Sequence, residues 1–182
     1  RYEKWYIAPQ DYPADDKLVE GMLNEFEKLT VTTLVSDDFN GCSLDLGTWS
    51  TFDPDGDATF RVNGTQAEIS VPAGTTHDVW GNGPGDFADN LPRLMQAAND
   101  ADFEIEARFE SPLTTNFQSQ GFIIEQDADD LLRIELGVNS SAETTIAVYK
   151  IVAGDGSNIG GWGTAIAPVG TSPLPLKTSR AG

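Results

Sequence analysis

The chain of 182 residues carries 29 acidic and 11 basic side chains, a formal net charge of −18. Its hydrophobic fraction of 39% and charged fraction of 22% are typical of a folded domain and argue against disorder. So acidic a surface repels phosphate backbones and anionic lipids, and we therefore expect no nucleic-acid partner. No run reaches the roughly 20 apolar residues of a membrane span, so we expect no membrane insertion.

The N-terminal segment has a helical pattern. Apolar residues recur at spacings of four, four and three from Leu18 to Leu29, which places them on one face of a helix. Two aspartates begin the pattern, where the helix dipole favours negative charge. We therefore predict an amphipathic helix over residues 15–29, within an N-terminal extension of residues 1–35.

Beyond residue 35 the pattern changes to a period of two. Residues 58–71 form two alternating runs around Asn63-Gly64, the dipeptide that a two-residue type I′ hairpin turn prefers. Further runs with the character of strands cover residues 102–110, 121–126, 131–137 and 144–152. Many short strands separated by turn signals predict an all-β domain over residues 36–182, an antiparallel jelly-roll sandwich.

Several stretches together resemble a known superfamily. They are "SDDFNGCSLDLGTWS", "GTTHDVW", "PRLMQ", "DFEIEARFE" and "QGFIIEQDADDLLRIELG". As a series they resemble the concanavalin A-like lectin/glucanase superfamily, most of all the non-catalytic jelly-roll domains of large secreted bacterial proteins that are similar to regulation-of-enolase domains. The resemblance implies two sheets packed face to face, a buried Trp49, a concave face or edge loop for glycans, and an extracellular or cell-surface location.

The resemblance also implies strands beyond the end of this sequence. Relatives continue past the stretch that corresponds to residues 176–182 with further strands, so we expect either that this sequence is a fragment or that its sheet is completed by something else. An open sheet presents unpaired N–H and C=O groups, which can accept a strand from another chain. The alternating residues 2–7 are a candidate donor, and a homo-oligomer or filament formed by strand addition is one hypothesis.

Residues 102–110 bear on catalysis. The resemblance implies that glucanases carry a Glu-x-Asp-x-(x)-Glu pattern on one strand, and here Glu104 and Glu106 are followed by Arg108 where the acid should stand. An arginine beside carboxylates favours their ionised form, the opposite of what a general acid needs. A lyase would need His77 to converge with Tyr149 and an arginine, and no spacing ties them together. We therefore expect a domain that is not an enzyme, with a divergent glycoside hydrolase or polysaccharide lyase as the alternative.

The acidic stretch "DPDGD" raises the question of metal binding. Asp53, Asp55 and Asp57 alternate in a way that suits calcium, although the glycine and the twelfth position do not fit an EF-hand loop. The alternative is a type I turn with proline second and glycine fourth. The resemblance implies a structural Ca²⁺ in many such modules. With one histidine and with Cys42 as the single cysteine, no zinc site of soft ligands is expected.

The segment of residues 74–96 has the residue types of a sugar site. Tryptophan stacks on the apolar face of a pyranose, and amides, carboxylates and arginine bind its hydroxyls. A second glycine-rich stretch, residues 153–170, reads as a loop with another tryptophan. The candidate ligand contacts are Trp80, His77, Asp78, Asn90, Arg93, Gln96 and Trp162. The alternative is that His77 and Trp80 only tie down a long loop.

These observations lead to one function hypothesis and two alternatives. The first is a non-catalytic, secreted carbohydrate-binding or adhesion module whose partner is a glycan or polysaccharide. The second is a structural subunit of an extracellular assembly, completed by a neighbouring chain's strand. The third is the divergent glycan-active enzyme.

Overall fold

The computed structural model describes residues 6–7, 12–13, 33–83, 85–161 and 164–181. Every regular element among them is a β-strand and every pairing is antiparallel, so the all-β prediction is confirmed for this part of the chain. The helix predicted over residues 15–29 lies outside the described residues. Within the described ranges, no helix has the length and apolar character needed to cross a bilayer.

The chain divides into two units, residues 1–34 with 97–99 and residues 35–96 with 100–182. The described part of the first unit contains an antiparallel pair, β1 (Tyr6–Ile7) and β2 (Tyr12–Pro13). The described strands of the second unit are β3 (Ser50–Phe52), β4 (Thr59–Val62), β5 (Ala67–Ser70), β6 (Val79–Trp80), β7 (Ala88–Asp89), β8 (Arg93–Met95), β9 (Phe103–Phe109), β10 (Ser119–Glu125), β11 (Leu131–Val138), β12 (Glu143–Val152), β13 (Asp155–Gly160), β14 (Ala165–Pro168) and β15 (Leu174–Arg180).

A five-stranded sheet forms the centre of the second unit. Its order is β10-β11-β12-β13, and β14 pairs with the other end of β12. Strands β10 and β11 cover the runs predicted over 121–126 and 131–137 and pair as a hairpin, and β12 covers the run predicted over 144–152. The stretch 153–170 was expected to be a loop, but it contains β13 and β14. Glycine-rich segments have weak strand propensity, so their pairing with β12 decides their conformation.

One face of this sheet packs against the two-stranded pair β9–β15. Ile134, Leu136 and Val138 of β11 form a buried cluster with Leu176 of β15, and the Phe109 ring of β9 lies 5.9 Å from that of Phe122. The alternating pattern of residues 102–110 places apolar side chains toward this cluster and charged ones outward, as predicted. A strand with one buried face alternates apolar and polar residues, and this alternation is why the strand could be predicted from the sequence.

The opposite face of the sheet carries a second buried cluster. Val79 of β6 packs on Leu131 and Ile151, with Phe87, Leu91 and Ile123 around them. The segment of residues 79–91 therefore covers one end of this face. Its position is fixed by a bridge between Asn82 and Asp155 and by a hydrogen bond from the Gly156 N–H to the Gly81 carbonyl.

The predicted hairpin around residue 63 is present, but its turn differs from the prediction. The N–H of Asn63 donates to the carbonyl of Gln66, so Gly64 and Thr65 are the central residues of the turn. Gly64 has φ +88° and Thr65 does not have a positive φ, which matches a type II′ turn rather than the type I′ expected. The cause lies in the side chain of Asn63, whose Oδ1 accepts hydrogen bonds from the N–H groups of Thr65 and Gln66.

Candidate functional site

Two charged residues lie on the second face of the five-stranded sheet. Strand β11 alternates, so that Arg133 and Glu135 point away from the Ile134–Leu136 cluster. Glu135 is 6% exposed, and its partners across the ladder are Gly121 and Ala147, whose small size leaves room for its side chain on this face. A methyl group on Gly121 would lie 2.1 Å from the Ile134 carbonyl oxygen, so this close pairing requires glycine.

Arg133 organises this face through four hydrogen bonds. Its Nε donates to Oε2 of Glu135 at 2.6 Å, and one terminal nitrogen donates to the carboxylate of Asp78 and to the Val79 carbonyl at 3.1 Å. The other terminal nitrogen donates to Oγ of Ser119 at 3.3 Å. One guanidinium thus joins β11, β10 and the segment that begins at Asp78. Buried charges persist when they are paired and hydrogen-bonded in this way.

Two aromatic rings lie beside the guanidinium. The Tyr149 ring, directly across the ladder from Arg133, lies 5.6 Å from the guanidinium carbon. Trp80 meets it edge to face, with ring centroids 5.3 Å apart and an interplanar angle of 84°. The indole also lies over Gly156 of β13, where a methyl group would be 2.8 Å from the ring. Both rings are half-buried, so each is partly exposed to solvent.

The electrostatics of the site reflect its mixed charges. Burial by itself would lower the pKa of Arg133, but the charges of Glu135 and Asp78 outweigh it and raise that pKa. The pKa of Tyr149 is also raised, first by burial and then by the negative charge of Glu135. Tyr149 shares a hydrogen bond with the side chain of Asn158, and is therefore a neutral, oriented phenol near neutral pH.

The structure gives His77 and Asn90 partners within the chain. Nε2 of His77 lies 2.9 Å from Oδ1 of Asp57, and its side chain is 4% exposed. The amide of Asn90 donates to Asp55 at 2.9 Å and accepts the N–H of Asp78 at 2.8 Å. These bonds tie the "DPDGD" turn to the segment around Asp78, which agrees with the alternative of a tethered loop. A ligand contact by His77 or Asn90 stays a prediction.

Arg93 is enclosed by the protein. It donates two hydrogen bonds to Asp89, at 2.7 and 2.8 Å, and one to Glu125 at 2.9 Å, and its guanidinium lies 3.8 Å from the Phe52 ring centroid. Its Nε is a buried nitrogen without a hydrogen-bond partner. Arg93 therefore joins β8 to β7, β10 and β3, and it lies at a place that a large ligand cannot reach without displacing these groups.

The remaining predicted contacts lie elsewhere. The Gln96 amide makes a reciprocal pair of hydrogen bonds with the backbone of Val35, at 2.8 and 2.9 Å. Trp162 lies outside the described residues. Trp49, which the resemblance places in the core, is half-buried against Phe39 and donates its indole N–H to Asp37. Of the predicted set, the structure brings together Trp80, Asp78 and Asn90, the last through its hydrogen bond with the Asp78 N–H.

The three aspartates proposed for calcium have separate partners. Asp53 accepts the N–H groups of Gly56 and Ala58, as expected of the turn, while Asp55 and Asp57 face Asn90 and His77. A group whose carboxylate oxygens lie within 4.8 Å of one another is found among the described residues at Asp127, Asp129 and Asp130. There Oδ1 of Asp127 accepts two backbone N–H groups of its own turn. Calcium binding stays a prediction at both places.

A cavity of about 280 Å³ is lined by residues of the segment 35–48 and by Val62, none of which belongs to this face. The two carboxylates in its wall, Asp37 and Asp45, receive hydrogen bonds from the chain itself. The N–H of Gly47, followed by the hydroxyl of Thr48, lowers the pKa of Asp45. These carboxylates order the loop, and the cavity adds no further group to the aromatic and charged face.

Sequence reasoning missed the charged residues at the centre of the face. Arg133 and Glu135 sit two apart in the apolar run "LLRIELGV", and that spacing alone indicates one shared strand face. Polar residues within an otherwise buried strand are a signal that could have drawn attention to them. Tyr149 was considered only with His77 and Arg93, and the structure places it beside Arg133 instead.

Comparison of the chain with protein-family models, with curated proteins and with solved structures found no match. The resemblance to the concanavalin A-like superfamily therefore stays a prediction, and the case for function depends on the geometry of this face.

Proposed function

We propose that this protein is a non-catalytic carbohydrate-binding or adhesion module of a secreted or cell-surface protein, and that it binds its glycan on the face formed by Trp80, Tyr149, Arg133, Glu135 and Asp78. We refer to these five residues as the Trp80 face. The proposed fold is a concanavalin A-like jelly roll, which the packing of β9–β15 against one side of the five-stranded sheet supports.

The observation that carries the proposal is the aromatic pair next to the hydrogen-bonded guanidinium. Trp80 and Tyr149 are rigid, partly exposed aromatic rings, while Asp78 is half exposed and can accept hydrogen bonds from sugar hydroxyl groups. Sugar sites combine an apolar surface for the C–H face of the ring with planar polar groups for its hydroxyls. Because Arg133 fixes Asp78 and Glu135 before a ligand arrives, binding would cost little ordering of side chains.

Binding rather than hydrolysis is favoured by the contacts of the carboxylates. Glu135 and Asp78 each accept a hydrogen bond from Arg133, and Glu135 is 6% exposed. Acid and base catalysis needs carboxyl groups within hydrogen-bond reach of the reacting atoms. The arrangement is suited to hold a sugar in place and does not offer a free acid and base pair.

Glycan binding can be measured by affinity electrophoresis on a panel of soluble polysaccharides, followed by calorimetry on those that retard the protein. Trp80→Ala should weaken binding about tenfold or more, which corresponds to about 1.4 kcal/mol. Because Trp80 also packs on Gly156, Asp78→Asn serves as a second variant that keeps the shape of an exposed side chain. Phe117→Ala, at an aromatic residue that is 72% exposed, is the matched control and should bind as the wild type does.

Two results would overturn the proposal. One is the absence of binding to every polysaccharide of the panel. The other is binding that both Trp80→Ala and Asp78→Asn leave unchanged while circular dichroism shows that the variants are folded.

A further inference from the structure

Resting on the proposed function, we propose that the Trp80 face selects a glycan that carries positive charge, an amino sugar with a free amine, over neutral or acidic sugars. The inference follows from the charges and the hydrogen-bond donors of this face.

The charges at the Trp80 face sum to a negative value. Three charged side chains act on Tyr149 at its centre, namely the carboxylates of Glu135 and Asp78 and the guanidinium of Arg133. Two negative charges against one positive charge leave one negative charge in a partly buried place, where screening by salt is weaker than at the surface. The whole chain adds to this with its net charge of −18.

Arg133 is not free to bind an acidic ligand. A guanidinium has five N–H donors, and four hydrogen bonds from Arg133 already go to Glu135, Asp78, Val79 and Ser119. Recognition of a uronate or sulfate by arginine relies on two parallel N–H donors aimed at the ligand. Such a contact would break at least one of the hydrogen bonds by which Arg133 now joins the strands. It would also bring the negative charge of the ligand close to the carboxylates of Glu135 and Asp78.

Asp78 offers a carboxylate, which can bind a cationic ligand. Its side chain is 51% exposed, and the bonds from Val79 and Arg133 both fall on Oδ1. Neither of these bonds occupies Oδ2, the second oxygen of this half-exposed carboxylate. An ammonium group has three donors and forms charge-assisted hydrogen bonds with carboxylates. A cation that lies over the face of an adjacent aromatic ring is stabilised further, because the ring quadrupole is negative on that face.

Three oligosaccharides of equal length test the inference by calorimetry at low salt and at a pH where the amine is protonated. They are oligomers of glucosamine, of N-acetylglucosamine, which removes the charge, and of galacturonate, which reverses it. We expect the glucosamine oligomer to bind about tenfold more tightly than the acetylated one, and its affinity to fall with added salt. The galacturonate oligomer should bind most weakly.

Two variants separate the local site from the general acidity of the chain. Asp78→Asn should remove most of the preference for the free amine. Glu106→Gln removes the same charge from the outer side of β9, where the side chain is 62% exposed, and should leave the preference unchanged. If Glu106→Gln reduces the preference as much as Asp78→Asn does, the attraction is non-specific and the inference fails.

The outcomes distinguish this inference from the proposed function. Equal or tighter binding of the acetylated or galacturonate oligomer overturns the inference and leaves glycan binding standing. Absence of binding to all three oligomers and to the wider polysaccharide panel overturns both. Preferential binding of glucosamine that depends on Asp78 supports both.

Discussion

Gly156 lies beneath the indole of Trp80, and this contact predicts the effect of a single methyl group. In Gly156→Ala the new Cβ would be 2.8 Å from two ring carbons of Trp80 and 2.9 Å from a third. Carbon atoms in contact are normally about 3.5–4.0 Å apart, so the ring must move by roughly 1 Å. Tyr149 packs against the indole with its centroid 5.3 Å away, and the ring cannot move without disturbing that pair.

The expected cost combines two opposing effects. Overpacking of a well-packed contact costs about 1–3 kcal/mol. Replacing glycine by alanine restricts the unfolded chain and thereby stabilises the folded protein by about 0.4–1 kcal/mol. Gly156 does not have a positive φ, so the substitution adds no backbone strain. The net expectation is a loss of about 1–2 kcal/mol, which for a chain of this size lowers the melting temperature by about 2–8 °C.

The assay is urea unfolding, followed by tryptophan fluorescence and near-ultraviolet circular dichroism. Gly160→Ala is the matched control, because Gly160 lies in the same strand and a methyl group there meets no atom within 4 Å. The control should unfold at the same urea concentration as the wild type or slightly above it. If Gly156→Ala proves as stable as Gly160→Ala and keeps the wild-type near-ultraviolet spectrum, the packing described for Trp80 is wrong.

Two further predictions concern charge. Arg93→Met leaves Asp89 and Glu125 without their cation and should lower the free energy of unfolding in urea by about 3 kcal/mol. The control Arg180→Met, at an exposed ion pair, should lower it by less than about 1 kcal/mol. Similar losses in the two variants would contradict the buried network. Because the folded-state pKa of Tyr149 is raised, the unfolded chain loses that proton first, and stability should fall as the pH rises through about 10 and above. Tyr149→Phe should make this fall shallower, and an identical pH dependence in the variant would refute the assignment.

The strands of the second unit show how much of the fold could be predicted. The alternation of β9 and the paired runs of β10 and β11 were visible in the sequence, because strands with one buried face repeat every two residues. The turn at residues 63–66 was located correctly but its type was wrong, since a side chain of Asn63 caps it. Strands β13 and β14, which lie in the glycine-rich stretch 153–170, had no local signal and depend on their partner β12.

The Trp80 face also combines features that the sequence predicts with contacts that only the fold creates. The sequence by itself determined that Trp80 and Asp78 belong to a polar, aromatic segment. The spacing of Arg133 and Glu135 also places them on one side of a strand, although they were not predicted as site residues. Only the tertiary structure brought these two pairs together, since Asp78 and Arg133 are 55 positions apart and meet where β6 crosses the sheet. It also enclosed Arg93 and His77, whose carboxylate partners come from other segments. Periodicity reports which side of its own element a residue faces, whereas a contact between distant elements is fixed by packing that no local pattern records.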